Sequence, residues 1–191
     1  MRKLSYYIAL TLDGFIAAPD GSFDFYPLSE ELVGFLAGEF PDTLPTAARR
    51  ALGVDEAPPS RYDTVLMGRG AYEPALEEGI TSPYAHLRQI VFSRGLGDSP
   101  DPAVEVVSGD PVAYVRDLKR EDGLDVYLCG GADLAGQLID EIDELVIKSY
   151  PIVAGTGIPL FRAEFGPRSF VPTDSRSFEN GTVVTTYTRK R

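Results

Sequence analysis

Large apolar side chains recur at every second position near the start of the chain. Every second residue from Leu4 to Leu12 is a large apolar side chain, and a period of two residues predicts a β-strand. The residues between them are also largely apolar, which favours a central strand that is covered on both faces. Asp13 and Gly14 then predict a turn.

From residue 60 onwards, short apolar runs alternate with helical patterns. The runs predict strands at 64–67, 89–92, 104–107, 125–129 and 144–150. The helical patterns predict helices at 71–77, 111–118 and 132–139. Ser29 and Asp110 precede apolar helical faces as N-cap residues, and Pro74 is expected near the first turn of its helix, where a missing N–H group costs little.

The C-terminal third changes character. Asn180 and Gly181 predict a β-hairpin between strands at 168–178 and 182–188. The whole chain, residues 1–191, is therefore predicted to be one α/β domain with parallel strands that are closed by antiparallel strands at the C-terminus.

Residues 40–60 are less regular. A short helix at 47–52 is predicted between Pro45 and Gly53, and a proline-rich loop follows it. We interpret this stretch as an insertion or a lid-like excursion from the domain.

Charge and cysteine content exclude several classes of function. The formal net charge is −11, so the chain is expected to repel nucleic acid and anionic membranes. The single cysteine cannot form an intrachain disulfide, and one histidine and one cysteine are too few for a Cys/His zinc site. Without a long apolar run or a signal-peptide pattern at the start, a cytoplasmic protein is expected.

Three strand-to-turn segments carry candidate chemistry. They are Met67–Gly70, Val91–Arg94 and Leu128–Leu134. Glycines and helix starts favour the binding of anions, and arginine side chains bind phosphates. Taken singly, the first two are more simply explained as ordinary turns, and for the third the two interpretations are balanced. In an α/β sheet all three lie at the carboxyl ends of strands, where ligands bind, so together they suit a ligand with several phosphates.

The same segments carry a family resemblance. Thr11–Ala17, Val65–Arg69, Phe92–Arg94 and Cys129–Gly131, in this order, resemble the dihydrofolate reductase-like superfamily. The stretch from Asp143 to Phe161 is similar to the C-terminal part of the reductase domain of riboflavin biosynthesis, and the resemblance covers nearly the whole chain except 40–60. It implies a three-layer α/β/α fold with a central mixed, mainly parallel sheet and a C-terminal antiparallel hairpin.

The resemblance also implies NADPH as the cofactor. Arg69, Ser93 and Arg94 correspond to residues that reach the adenosine end and its extra phosphate. Gly130 and Gly131 correspond to a glycine pair, often joined by a cis peptide, that contacts the pyrophosphate and the nicotinamide side. The remaining candidate cofactor-binding residues are Ala9, Phe15, Ile16, Gly68, Gly70, Ala132, Asp133 and Leu134, of which Ala9, Phe15 and Ile16 would flank the nicotinamide. Gly70 departs from the threonine that relatives often carry at this position.

A reductase also needs a proton donor, and folate reductases use a carboxyl group near the start of a helix. Asp24, between Phe23 and Phe25, is a candidate because desolvation raises the pKa of a carboxyl group. Asp13 is the other candidate, although a role in its turn is the better interpretation. The chain contains no tryptophan, which disfavours dihydrofolate and favours another pteridine-, pyrimidine- or flavin-like ring.

Two further functions are compatible with these residues. A domain that binds nucleotides or senses a ligand could retain the fold without catalysis, and a purely structural dimer module is a weaker alternative. By analogy with riboflavin-type reductases we expect a homodimer.

Overall fold

The structure is a computed structural model that describes residues 1–190. Its strands are β1 (Leu4–Leu10), β2 (Phe15–Ala17), β3 (Tyr62–Gly68), β4 (Arg88–Phe92), β5 (Val104–Val107), β6 (Asp125–Gly130), β7 (Glu144–Ser149), β8 (Ile158–Pro159), β9 (Phe170–Ser177) and β10 (Val183–Arg189). Its α-helices are α1 (Glu30–Glu39), α2 (Thr46–Ala51), α3 (Arg69–Glu77), α4 (Pro111–Leu118) and α5 (Ala132–Gln137), and a 3-10 helix covers Pro41–Thr43.

Eight of the strands form one mixed sheet in the order β5-β4-β3-β6-β1-β7-β10-β9. The first six of these are parallel to one another, and β10 runs antiparallel to both β7 and β9. Strands β2 and β8 form a separate antiparallel pair. The predicted parallel sheet and C-terminal antiparallel hairpin are confirmed.

Each face of the sheet carries its own hydrophobic cluster, which gives three layers. On one face Tyr7 packs with residues of α1 and α3, including Leu32 and Tyr72. On the other face Leu4 and Tyr6 pack with residues of α4 and α5. The alternation in β1 therefore serves two cores, as expected for a central strand.

The predicted helix caps are confirmed. The Ser29 side chain accepts a hydrogen bond from the Leu32 amide at 3.2 Å, and the Asp110 side chain accepts one from Val112 at 2.9 Å. Both bonds satisfy backbone donors that a helix start leaves unpaired. None of the helices within residues 1–190 is long and apolar enough to span a lipid bilayer.

Two local predictions are wrong. Strand β1 ends at Leu10 instead of Leu12, because the Thr11 hydroxyl accepts a hydrogen bond from the Phe15 amide at 2.9 Å and closes a turn. Helix α3 begins at Arg69, so Pro74 lies inside the helix and not in its first turn.

The first half of the segment 40–60 packs against the domain, whereas most of residues 50–60 is exposed. The Asp42 side chain is fully buried, and its carboxylate accepts hydrogen bonds from the amides that lead into β3. Arg49 is also buried and donates to the carbonyls of Pro41 and Ala57. The segment therefore forms a wall of the domain, and residues 43–48 of it line the cleft described below.

Candidate functional site

A cleft of about 1370 Å³ opens at the edge of the sheet where the parallel strands end. Its lining includes the carboxyl ends of β3, β4, β5 and β6, together with side chains from β1 and β7. All three predicted turn segments reach it, as expected for ligand sites in open α/β sheets.

The first segment joins β3 directly to α3. Gly68 is the N-cap of α3 and contributes no side-chain cap, so the first amides of the helix are not satisfied by a capping side chain. A Cβ atom at Gly68 would lie 3.4 Å from both Gly130 O and Gly131 N. The first and third segments therefore adjoin at this point. Gly70, which also lines the cleft, faces open space.

The second segment follows β4. The Ser93 hydroxyl accepts hydrogen bonds from the amides of Gly95 and Leu96, at 3.3 and 3.1 Å. Arg94 is exposed and forms no ion pair with a carboxylate of residues 1–190. Arg69 forms an ion pair with Glu73 one turn along α3, and its Nη1 atom would lie 3.5 Å from a Cβ at Gly95. The two arginine-bearing segments therefore adjoin.

The third segment is the glycine pair at the end of β6. The peptide between Gly130 and Gly131 is cis, as the resemblance predicts. Gly130 has a φ of +129°, which favours glycine, and it lies behind the cleft wall, whereas Gly131 reaches the lining. Ala132, Asp133 and Leu134 also line the cleft.

The residues expected beside the nicotinamide separate into two groups. Ala9 and Ile16 line the cleft, but Phe15 does not. Instead, the Phe15 carbonyl accepts a hydrogen bond from the Tyr26 hydroxyl at 2.8 Å, and the Tyr26 ring packs 4.7 Å from that of Tyr150. Phe15 thus positions an aromatic wall and does not itself contribute to the lining.

Asp13 is placed as a turn residue. Its carboxylate accepts hydrogen bonds from the Thr11 hydroxyl at 2.7 Å and from the amides of Ala154 and Gly155 at 3.1 and 2.6 Å. These bonds, that of Thr11 first, lower the pKa of Asp13 to about 2. Asp13 does not line the cleft, and a carboxylate ionised at neutral pH has no proton to give. The structure thus contradicts its candidacy as a proton donor.

Asp24 does line the cleft, but at an exposed position. Its neighbour Phe23 is 59% exposed, and the Phe25 ring packs on Tyr26 at 4.5 Å. The desolvation expected from the flanking aromatic residues is therefore absent, because their side chains do not enclose the carboxyl group.

Sequence reasoning missed two cations of the cleft. Lys148 lies on β7, directly opposite Ala9 of β1, and its Nζ atom is 4.0 Å from the centroid of the Tyr7 ring. Burial lowers the pKa of Lys148 to about 8. Arg162 follows β8 and forms an ion pair with Asp133 at 2.9 Å. A lysine directly after the apolar run 145–147 of β7 was the available signal for Lys148.

Cys129 reaches both the core and the cleft. It is half-buried and packs against the hydrophobic cluster that contains Tyr84. It also lines the cleft, and its Sγ atom lies 3.7 Å from the Tyr84 hydroxyl.

The chain is similar to several known proteins. It is 33% identical over 162 residues to the uncharacterized protein YwjB of Bacillus subtilis (strain 168), covering 84% of this chain and 83% of YwjB. It is 25% identical to the uncharacterized protein YyaP of the same organism, covering 97% and 94% of the two chains.

Two solved structures are similar in fold. A putative riboflavin biosynthesis protein from Shewanella sp. PV-4 superposes with a TM-score of 0.73 at 26% identity and covers 99% of both chains. A diaminohydroxyphosphoribosylaminopyrimidine deaminase/5-amino-6-(5-phosphoribosylamino)uracil reductase from Thermotoga maritima has a TM-score of 0.65 at 16% identity, covering 99% of this chain and 57% of that one. These likenesses confirm the predicted dihydrofolate reductase-like, three-layer α/β/α class.

The family described as the RibD C-terminal domain matches residues 2–184. That range includes the three turn segments, Lys148, Arg162 and the segment 40–60. The chain therefore belongs to the RibD C-terminal domain family, which is related to the reductase of riboflavin biosynthesis.

Proposed function

We propose that the chain is an NADPH-dependent reductase that transfers hydride to a pteridine-, pyrimidine- or flavin-like heteroaromatic substrate. The observation that carries this proposal is the convergence of Gly68–Arg69, Ser93–Arg94 and Gly131 on one cleft. Three separate turns, two with arginine, match a dinucleotide with phosphates at several points.

The cleft residues fit NADPH in shape and charge. Gly68 adjoins the glycine pair, and Gly70 and Gly131 face open space where a phosphate chain can approach the backbone. Helix α3 starts at the cleft with no capping side chain and no acidic residue in its first turn, so its partial positive charge is not offset there. In a chain with a net charge of −11, Arg69 and Arg94 supply the local cations that an anionic cofactor needs.

The other side of the cleft suits a planar ring. Ala9 and Ile16 provide apolar contacts, and Phe23, Tyr26 and Tyr150 provide aromatic surface. When bound, NADPH supplies the hydride, and the chain orients both ligands and excludes water between them.

Cofactor titration tests the proposal. NADPH and NADH are titrated into wild type, Arg69→Ala and Arg94→Ala, with nicotinamide fluorescence as the signal. A lost charged hydrogen bond to the extra phosphate is worth about 1.5–3 kcal/mol, so NADPH binding should weaken roughly 10- to 100-fold and NADH binding about twofold or less. Arg120→Ala is the control, because Arg120 is exposed, pairs with Asp117 and lies outside the cleft lining.

The outcomes separate the functions. If neither nucleotide binds saturably, the reductase proposal is contradicted. If Arg69→Ala and Arg94→Ala weaken NADPH and NADH binding equally, the contacts of these arginines with the extra phosphate are contradicted. NADPH oxidation is then followed with dihydrofolate and with 5-amino-6-(5-phosphoribosylamino)uracil as acceptors. Saturable binding without oxidation favours the alternative, a non-catalytic nucleotide-binding or ligand-sensing domain.

We also propose that the protein acts as a cytoplasmic homodimer. Light scattering of the purified chain tests the dimer, since a mass near twice 20.8 kDa is expected. A mass near 20.8 kDa would contradict it.

A further inference from the structure

Lys148 is an unusual cation in this molecule. It is half-buried in the cleft wall, and it forms no ion pair within residues 1–190. Two groups face it from neighbouring strands: the Tyr7 ring of β1, whose centroid lies 4.0 Å from Nζ, and Cys129 of β6. Burying an unpaired ammonium is costly, so a functional reason for its presence is expected.

None of the carboxyl groups that line the cleft within residues 1–190 is both buried and unpaired. Asp24 and Glu78 are exposed at the cleft mouth. Asp133 is ion-paired with Arg162 at 2.9 Å. Lys148, in contrast, lies directly opposite Ala9 in the pairing of β1 with β7, and Ala9 is one of the residues expected to flank the nicotinamide.

We propose that Lys148 is the catalytic proton donor of the reduction and that the substrate class is a heterocycle carrying a C=N bond whose nitrogen rests against the Lys148 ammonium. This inference rests on the proposed function. The inference extends the proposed function by naming the proton donor and by restricting the hydride acceptor to compounds with a basic C=N nitrogen within reach of β7.

The step balances in atoms and electrons. The hydride supplied by NADPH forms the new C–H bond and brings both electrons, and the π bond of C=N breaks. An N–H bond of the Lys148 ammonium breaks as its proton forms the new N–H bond on the substrate nitrogen. NADP⁺ and a neutral Lys148 amine remain, and the amine regains its proton from water.

The acidity of Lys148 suits this task. Burial, acting against the smaller opposite effect of Cys129, lowers the pKa of Lys148 to about 8. The group is therefore protonated at neutral pH, yet it releases a proton more readily than an ordinary lysine with a pKa of about 10.4. Turnover should fall as the pH rises through 8, because the neutral amine has no proton to donate.

The first readout needs no turnover. In protein labelled with [ε-¹³C]lysine, the signal missing from Lys148→Met identifies Lys148, because the chain has only three other lysines, Lys3, Lys119 and Lys190. We expect this signal to titrate near pH 8 and to move when NADP⁺ saturates the protein. Titration at about 10.4, the value of an ordinary lysine, or no response to NADP⁺ would overturn the proposal.

The second readout is kinetic. With the acceptor that wild type reduces, Lys148→Met and Lys148→Arg should both lower kcat about 100-fold or more, with the Kd for NADPH within about twofold of wild type. Arginine keeps the charge but holds its proton at a pKa above about 12, so a rescue by arginine would make Lys148 a positioning residue and overturn its role as donor. Lys190→Met, at an exposed position outside the cleft lining, is the matched control.

The two proposals fail in different ways. Wild type that binds no NADPH contradicts the proposed function itself. Lys148→Met that binds NADPH and keeps kcat within about twofold contradicts only the role of Lys148. If wild type reduces neither acceptor, the lysine titration and its response to NADP⁺ decide. Circular dichroism of each variant confirms that it is folded.

Discussion

A single buried carboxylate, Asp42, holds residues 40–60 against the sheet. Its Oδ2 atom accepts hydrogen bonds from the amides of Ser60, Arg61 and Tyr62 at 3.0, 2.7 and 3.0 Å. Its Oδ1 atom lies 3.9 Å from Arg49 Nη1, and both side chains are almost completely buried. Asp42 thus connects the 3-10 helix, α2 and the first residue of β3.

We expect Asp42→Ala to destabilise the fold by about 3–5 kcal/mol. The substitution leaves three backbone donors without an acceptor, at about 1–3 kcal/mol for each buried unsatisfied group. Water entering near Ser60, which is exposed, offsets part of this cost. It also leaves the Arg49 charge buried without its partner, which costs about 3–5 kcal/mol in comparable pairs. The carbonyls of Pro41 and Ala57 still bind the guanidinium, so the total stays well below the sum.

Denaturation by guanidinium chloride, followed by circular dichroism, measures the effect. Asp42→Asn keeps one acceptor oxygen and should lose roughly half as much as Asp42→Ala. Asp55→Ala is the control in the same segment, because Asp55 is exposed, and its change should stay within about 0.5 kcal/mol. A loss below about 1 kcal/mol for Asp42→Ala would refute the argument that this carboxylate anchors the segment.

Three further substitutions test other parts of the structure. A Cβ at Gly136 would lie 1.9 Å from the Arg162 carbonyl oxygen, so Gly136→Ala should lower the Tm strongly. Gly34 has open space around it, so Gly34→Ala should raise the Tm slightly. Equal Tm values for the two variants would contradict this. Hydrogen bonds hold the pKa of Asp13 near 2 instead of 3.8. The contribution of Asp13 to stability is therefore complete above pH 4 and is lost as the pH falls towards 2. Asp13→Asn should flatten the fall of Tm between pH 4 and pH 2, and an unchanged slope would contradict this role of the hydrogen bonds. Burial lowers the pKa of Lys148 from 10.5 to about 8. The charged lysine therefore destabilises the fold below pH 8, and this cost decreases as the pH rises towards 10.5. Lys148→Met should raise the Tm at pH 7, and a lower Tm would contradict the desolvation of Lys148.

The sequence predicted the elements that depend on local patterns. Alternation, helix caps at Ser29 and Asp110, and the Asn180–Gly181 hairpin are all encoded within a few residues, and the structure confirms them. Strand β1 ended early because a hydroxyl, that of Thr11, accepts a hydrogen bond from the Phe15 amide within the next turn. Apolar periodicity does not register a bond of that kind.

The role of residues 40–60 could not be predicted for a different reason. Their packing depends on Asp42, whose hydrogen-bond partners lie 18 to 20 residues further along the chain. A charged residue in an irregular stretch is normally solvated. Only the three-dimensional structure shows that the amides preceding β3 enclose this carboxylate, and thereby bring residues 43–48 to the cleft.

The same limit applies to the proton donor at the site. Asp24 and Asp13 were predicted from the sequence, because folate reductases use a carboxyl group near the start of a helix. The structure places Asp13 in a turn outside the cleft and leaves Asp24 exposed. The cation that is both desolvated and inside the cleft, Lys148, comes from β7, which the sheet order places beside β1. Desolvation is set by strand neighbours that are distant in sequence, so the acid–base group of such a cleft is identified by the order and register of its strands.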